Sequence, residues 1–175
     1  MANEAHKIQF LAQELALIEK IRMKYPPEVF VPLLFTIREA NSSWSYLGGK
    51  YSSIAIKHKE TDLTKEPGVT REYVQFFINP IQKKTALEVI RLEKCSEENV
   101  RRIAKRPYKV WVDAEYALLV KIDPVSQIIL ITNLKLPVIL EGTSATNFNH
   151  EYEHISVNSS KKGKTIWNFQ FRIEN

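Results

Sequence analysis

The chain has 175 residues, 44% of them apolar and 26% charged, with only five Gly. That length suits one domain and lets folding hide roughly two thirds of the unfolded chain's surface. Neither a metal nor a disulfide is needed for stability, and the composition excludes a disordered or fibrous chain. The 25 basic and 20 acidic residues give a formal charge of +5, a mild bias towards polyanions that leaves neutral partners open.

The segment Ala5 to Lys24 predicts a first helix, because Ile8, Leu11, Leu15, Ile18 and Ile21 recur at three- and four-residue intervals. Pro26-Pro27 should stop it. Val29 to Ile37, rich in β-branched and aromatic residues, reads as a strand, with Pro32 restricting it to a sheet edge or a bulged strand. Asn41 to Ser45 and Gly48-Gly49 read as loop and turn, and Tyr51 to Lys57 as a second strand. A polar loop is expected over Lys57 to Thr70, followed by a strand at Tyr73 to Ile78.

Asn79, Pro80 and Gln82 have the residue types of a helix cap, first position and third position. Ile81, Thr85, Val89 and Leu92 would form the helix's apolar stripe, with a strand over Leu87 to Leu92 as the competing reading. Ser96 with Glu97 and Glu98 opens a second helix of this central pair, which Pro107 ends. Strands are expected near Tyr108–Val112, Tyr116–Ile122, Ile128–Thr132, Pro137–Leu140, His154–Val157 and Thr165–Ile173. Asp123-Pro124-Val125-Ser126 should turn one antiparallel hairpin, and Ser159 to Gly163 another. The expected fold is a single α+β domain over residues 1–175: a mostly antiparallel sheet, an N-terminal helix and a central helix pair.

Cys95 is the lone cysteine, so no internal disulfide forms, and it reads as a buried or passive thiol. The N-terminus lacks the pattern of a standard signal peptide, and no apolar run is long enough to cross a bilayer. These features predict a soluble, cytoplasmic protein with no membrane partner.

Residues 150–154 spell His-Glu-Tyr-Glu-His. On a helix, His150 and His154 would share a face suited to zinc, and Glu151 would activate a bound water. With Glu174 as third ligand the segment resembles a thermolysin-like zincin, in motif only and over about 25 residues. The flanks point elsewhere: Gly142 to Asn149 reads as loop, and Ile155, Val157, Ile166, Phe169, Phe171 and Ile173 favour strands. In a strand the two histidines would stand about 13 Å apart and could not chelate one ion. The strand reading is preferred, and no metal or cofactor is assigned.

The strongest charge cluster is Arg101, Arg102, Lys105, Arg106 and Lys109, with a second group at Lys161, Lys162 and Lys164. On the expected helix the first four make two basic rows able to contact phosphates. Tyr108 and Trp111 would offer rings for stacking bases. The leading expectation is association with RNA or single-stranded DNA. A nuclease extension would use His150, Glu151 and His154, with Asp113 and Glu115 sharing a strand face about 7 Å apart around magnesium, and Lys121 as a third polar partner. Asp113-Ala114-Glu115 reads equally as a turn. The alternatives are a non-enzymatic protein-interaction or assembly module, pairing through an exposed strand edge such as Val29–Ile37, and a zinc-dependent metalloprotease.

Overall fold

The structure is a computed structural model that describes residues 12–21, 25–38, 43–94, 101–156 and 165–168. Helices α1 (Ala12–Ile21) and α2 (Val31–Arg38), the latter entered through a 3-10 turn at Pro27–Phe30, precede β1 (Ser43–Gly48), β2 (Tyr51–Asp62), β3 (Val69–Ile78) and β4 (Ile81–Glu93). Then come β5 (Arg102–Asp113), β6 (Tyr116–Asp123), β7 (Ile128–Asn133), β8 (Val138–Glu141), α3 (Thr143–Ile155) and β9 (Thr165–Asn168). Every strand pair among the described residues is antiparallel. The first sheet runs β1-β2-β3-β6-β7; the second runs β4-β5-β8, with β9 also pairing to β5. The mixed, mostly antiparallel architecture is the one expected, but there is no helix pair over residues 81–93 and 102–113.

The β4–β5 hairpin is an excursion from the first sheet, leaving it after β3 and returning at β6, which is β3's neighbour. Two connectors lie side by side where the chain crosses between sheets. Asn79, with φ +48°, receives a bond from Ser52 N on Oδ1 (2.8 Å) and donates Nδ2 to Glu115 Oε2 (2.6 Å). Tyr25 donates its hydroxyl to Glu115 Oε1 (2.6 Å); burial and this neighbouring carboxylate push the phenol up to about 12. Asn79 therefore ties the crossing together and does not cap a helix. A cap contributes about 1 kcal/mol, which is outweighed by the long ladder between β4 and β5.

Four other expectations change. Val29–Ile37 is 3-10 and α-helix: Pro27 and Pro32 sit in first turns, where a missing N–H is tolerated, and Val29, Phe30, Leu33 and Leu34 are buried. Ser43–Ser45 belongs to β1. The polar segment 57–70 is strand at both ends, because opposite charges face each other: Lys57 and Lys59 both reach Glu72 at 2.8 Å. Thr143 to Asn149 and His154–Ile155 are helical, since Ala145, Phe148 and Ile155 share one buried stripe. Gly142, with φ +62°, gives the entry that other residues resist.

The helix over 12–21 and the strands at Tyr73–Ile78, Tyr108–Val112, Tyr116–Ile122 and Ile128–Thr132 form as expected. The Asp123 turn also forms: Oδ1 accepts from Val125 N (3.0 Å) and Ser126 N (3.2 Å). Cys95, the start of the second expected helix, Val157, the turn at 159–163, the end of the last strand and Glu174 lie outside the described residues.

The first sheet is covered on both faces. One face buries Ala55, Val74, Phe76 and Leu118 with Phe30 and Leu33 of the N-terminal helical segment. The other buries Ile54, Ile56 and Phe77 against Val110, Val112 and Leu140 of the second sheet and Ala145, Phe148 and Ile155 of α3. Helix α3 is thus set into a core to which both sheets contribute.

Candidate functional site

Strand alternation divides the basic cluster. Along β5, Ala104, Arg106, Val110 and Val112 are buried, while Lys105 is exposed on the opposite face. Arg106 is 1% exposed and uses all five N–H donors. Nε and Nη2 form a fork onto Glu93 (3.0 and 2.6 Å), Nη1 donates to Glu153 Oε1 (2.6 Å) and Asn149 Oδ1 (3.0 Å), and Nη2 also meets His150 Nδ1 (3.2 Å). Burial opposes the charge on Glu93, but the fork of bonds from Arg106 and the guanidinium's charge overcome it and hold the carboxyl at about 2. Arg91 extends the network to Thr146 and, at 2.9 Å, to Asn147 Oδ1; burial holds its guanidinium below the usual value. Asn149 Nδ2 donates to Gln82 Oε1 at 3.0 Å. These contacts fasten α3 to the β4–β5 pair.

His150 and His154 occupy consecutive turns of α3, with Nε2 atoms 3.3 Å apart and rings inclined at 76°. The strand expectation is overturned here: the helix brings together what an extended chain would hold about 13 Å apart. Glu151 turns elsewhere. Its two oxygens accept from Ser43 Oγ (2.8 Å) and Ser45 Oγ (2.7 Å), so it anchors α3 to β1. Among the described residues, no three His, Cys, Asp or Glu side chains are placed to share a metal ion.

The outer face of the second sheet carries the rest of the basic cluster. Two ammonium groups approach the Trp111 ring, Lys84 at 5.0 Å and Lys109 at 5.3 Å from its centroid. Lys109 pairs with Glu141, and Lys105 with Glu88 at 3.9 Å. Ile90 and Ile139 are 67% and 51% exposed beside them. Tyr108 sits beside Gly142, Arg101 is exposed just before β5, and Arg102 opens the strand. The two helical rows of arginine and lysine do not exist.

Asp113 ends β5 and pairs with Lys83 at 3.6 Å, while Glu115 lies in the two-residue connector to β6 with the bonds given above. The turn reading of 113–115 therefore holds. Asp113 stands seven residues beyond Arg106 on β5, about 23 Å of extended chain, and Lys121 lies five residues into β6 from Tyr116. The contacts made by Asp113 and Glu115 are thus separate from the histidine pair. Sequence reasoning passes over Arg91, Glu93, Asn149, Glu153, Ser43, Ser45 and Lys84. A signal for the buried arginine is present, because Ala104, Arg106, Val110 and Val112 keep the two-residue period of a strand face.

No protein-family model, curated protein or solved structure matches this chain. No helix among the described residues is long and apolar enough to cross a membrane.

Proposed function

We propose that the chain acts as one α+β domain that binds single-stranded nucleic acid, RNA in the first instance, on the outer face of the β4–β5–β8 sheet. The observation that carries this reading is Trp111 on that face with Lys84 and Lys109 beside its ring. An indole offers a sequence-tolerant stacking surface for a base, and the two lysines reach phosphates on either side once a base takes their place over the ring. Lys105 continues the same face along β5. Glu88 and Glu141 offset part of the charge, so stacking contributes more than attraction at long range.

Anisotropy of a labelled single-stranded RNA tests this. Trp111→Ala should weaken binding by about 1–3 kcal/mol, roughly 5- to 150-fold. With three lysines on phosphates, log affinity should fall against log salt with a slope of about −2. Unchanged binding in folded Trp111→Ala and in the Lys84→Glu, Lys109→Glu double variant removes the proposal.

A second reading, assembly between copies, has its own observation. Strand β7 is at a sheet edge, Ile128–Asn133 is uncharged, and Ile128 and Leu130 are 51% and 54% exposed. Charge, proline or a bulge ordinarily guards such an edge. Two copies paired antiparallel along β7 would oppose no like charges. Leu130→Lys should shift sedimentation from dimer to monomer, whereas a wild-type chain that stays monomeric at high concentration ends this reading.

A further inference from the structure

We propose that His150 and His154 chelate one divalent transition-metal ion, of the zinc class, through their Nε2 atoms. Two imidazole nitrogens bound to one tetrahedral ion at about 2.0–2.1 Å stand about 3.3 Å apart. The two Nε2 atoms are separated by 3.3 Å. Imidazole suits zinc, copper and nickel, and histidines one helical turn apart present their nitrogens on one side. The remaining coordination positions go to water, which makes the site open and exchangeable.

The environment of His150 supplies a second, independent feature. Metal-binding histidines generally donate their other N–H to a carboxylate or carbonyl, and His150 Nδ1 lies 3.5 Å from Glu93 Oε1. Without the ion, Arg106 Nη2 donates to Nδ1 at 3.2 Å, so Nδ1 carries no proton. The His150 proton is then on Nε2, directed at His154 Nε2. When the ion takes that place, the proton moves to Nδ1 and is donated to Glu93. Arg106 releases Nδ1 and keeps its bonds to Glu93, Glu153 and Asn149. No net proton is lost, and His150 changes tautomer.

The site is not that of a metalloprotease. Both oxygens of Glu151 are engaged by Ser43 and Ser45, on contacts that hold α3 against β1. The ion instead joins the polar network that fastens α3 to the second sheet, so metal loading is coupled to how firmly the helix is held.

The test is titration of the full chain with zinc chloride in a non-chelating buffer, followed by calorimetry and by 15N spectra of the histidine rings. The expected result is one zinc per chain, with both rings ligated through Nε2 and His150 protonated on Nδ1. His154→Ala, at an exposed position, should weaken binding by at least about tenfold without unfolding the chain. His58→Ala removes a ring stacked on Tyr73 in the first sheet and should leave zinc affinity unchanged. Absence of stoichiometric zinc, equal affinity in His154→Ala, equal loss in His58→Ala, or ligation through Nδ1 would each overturn the proposal. Trp111→Ala should bind zinc normally, which keeps this site separate from the nucleic-acid face.

Discussion

Replacing Arg106 with Leu is expected to lower folding stability by about 3–5 kcal/mol, since removing one member of a buried ion pair strands the other. Glu93 has a side chain only 5% exposed, and Glu153 also loses its guanidinium partner. Asn149 and His150 lose donors as well, so α3 should loosen from the β4–β5 pair first. Urea denaturation at pH 7 measures the loss; a cost under about 1 kcal/mol would mean that water reaches Glu93 readily. The double variant Arg106→Met, Glu93→Leu should recover much of the deficit, because exchanging a whole buried pair for apolar side chains is often neutral.

Acid should reproduce part of the same defect. The Glu93 carboxyl is held at about 2 against an ordinary value of 4.5. A depressed carboxyl pKa stabilises the fold above the unfolded value, and that contribution disappears as pH falls from about 4.5 towards 2. Over this window the wild-type advantage over Glu93→Gln should shrink. A stability gap that stays constant from about pH 7 to about pH 2.5 would show that Glu93 keeps an ordinary pKa.

The parts of the fold legible in the sequence are those governed by short-range chemistry. Asp123 and Pro124 fix a turn by bonds within four residues, and the flanking apolar runs pair across it. The errors arise where local and distant preferences oppose each other. Asn79-Pro80 has the chemistry of a helix start, yet Asn79 is bonded to Ser52 and Glu115, one 27 residues before it and the other 36 after. Val29–Ile37 has strand-like composition, but its prolines fall in opening helical turns and its apolar residues meet the first sheet. The His150–His154 spacing is visible in the sequence; its meaning depends on whether the segment is helix. The polar residues Thr146, Asn147 and Asn149 make the segment resemble a loop. Their partners, Arg91, Arg106 and Gln82, lie more than 40 residues away and could not be paired from local pattern.

Phe148→Ala is the other substitution expected to have a large effect, about 3–5 kcal/mol and roughly 10 °C in Tm. Phe148 is fully buried, edge-on to Phe77 at 5.5 Å and stacked with Tyr152 at 5.7 Å. Truncation opens a cavity among residues of both sheets and α3, and Val110 and Leu140 cannot fill it without leaving their strand positions. Because the two sheets share this core, their unfolding should remain coupled. Trp44 reports on the first sheet and Trp111 on the second. Variants that retain one or the other tryptophan should lose their native fluorescence at the same urea midpoint, both before and after Phe148→Ala. If Trp111 melts first while Trp44 stays native, the second sheet is an independent unit. The shared apolar surface would then be a contact between two folded parts, and one cooperative core would no longer describe the chain.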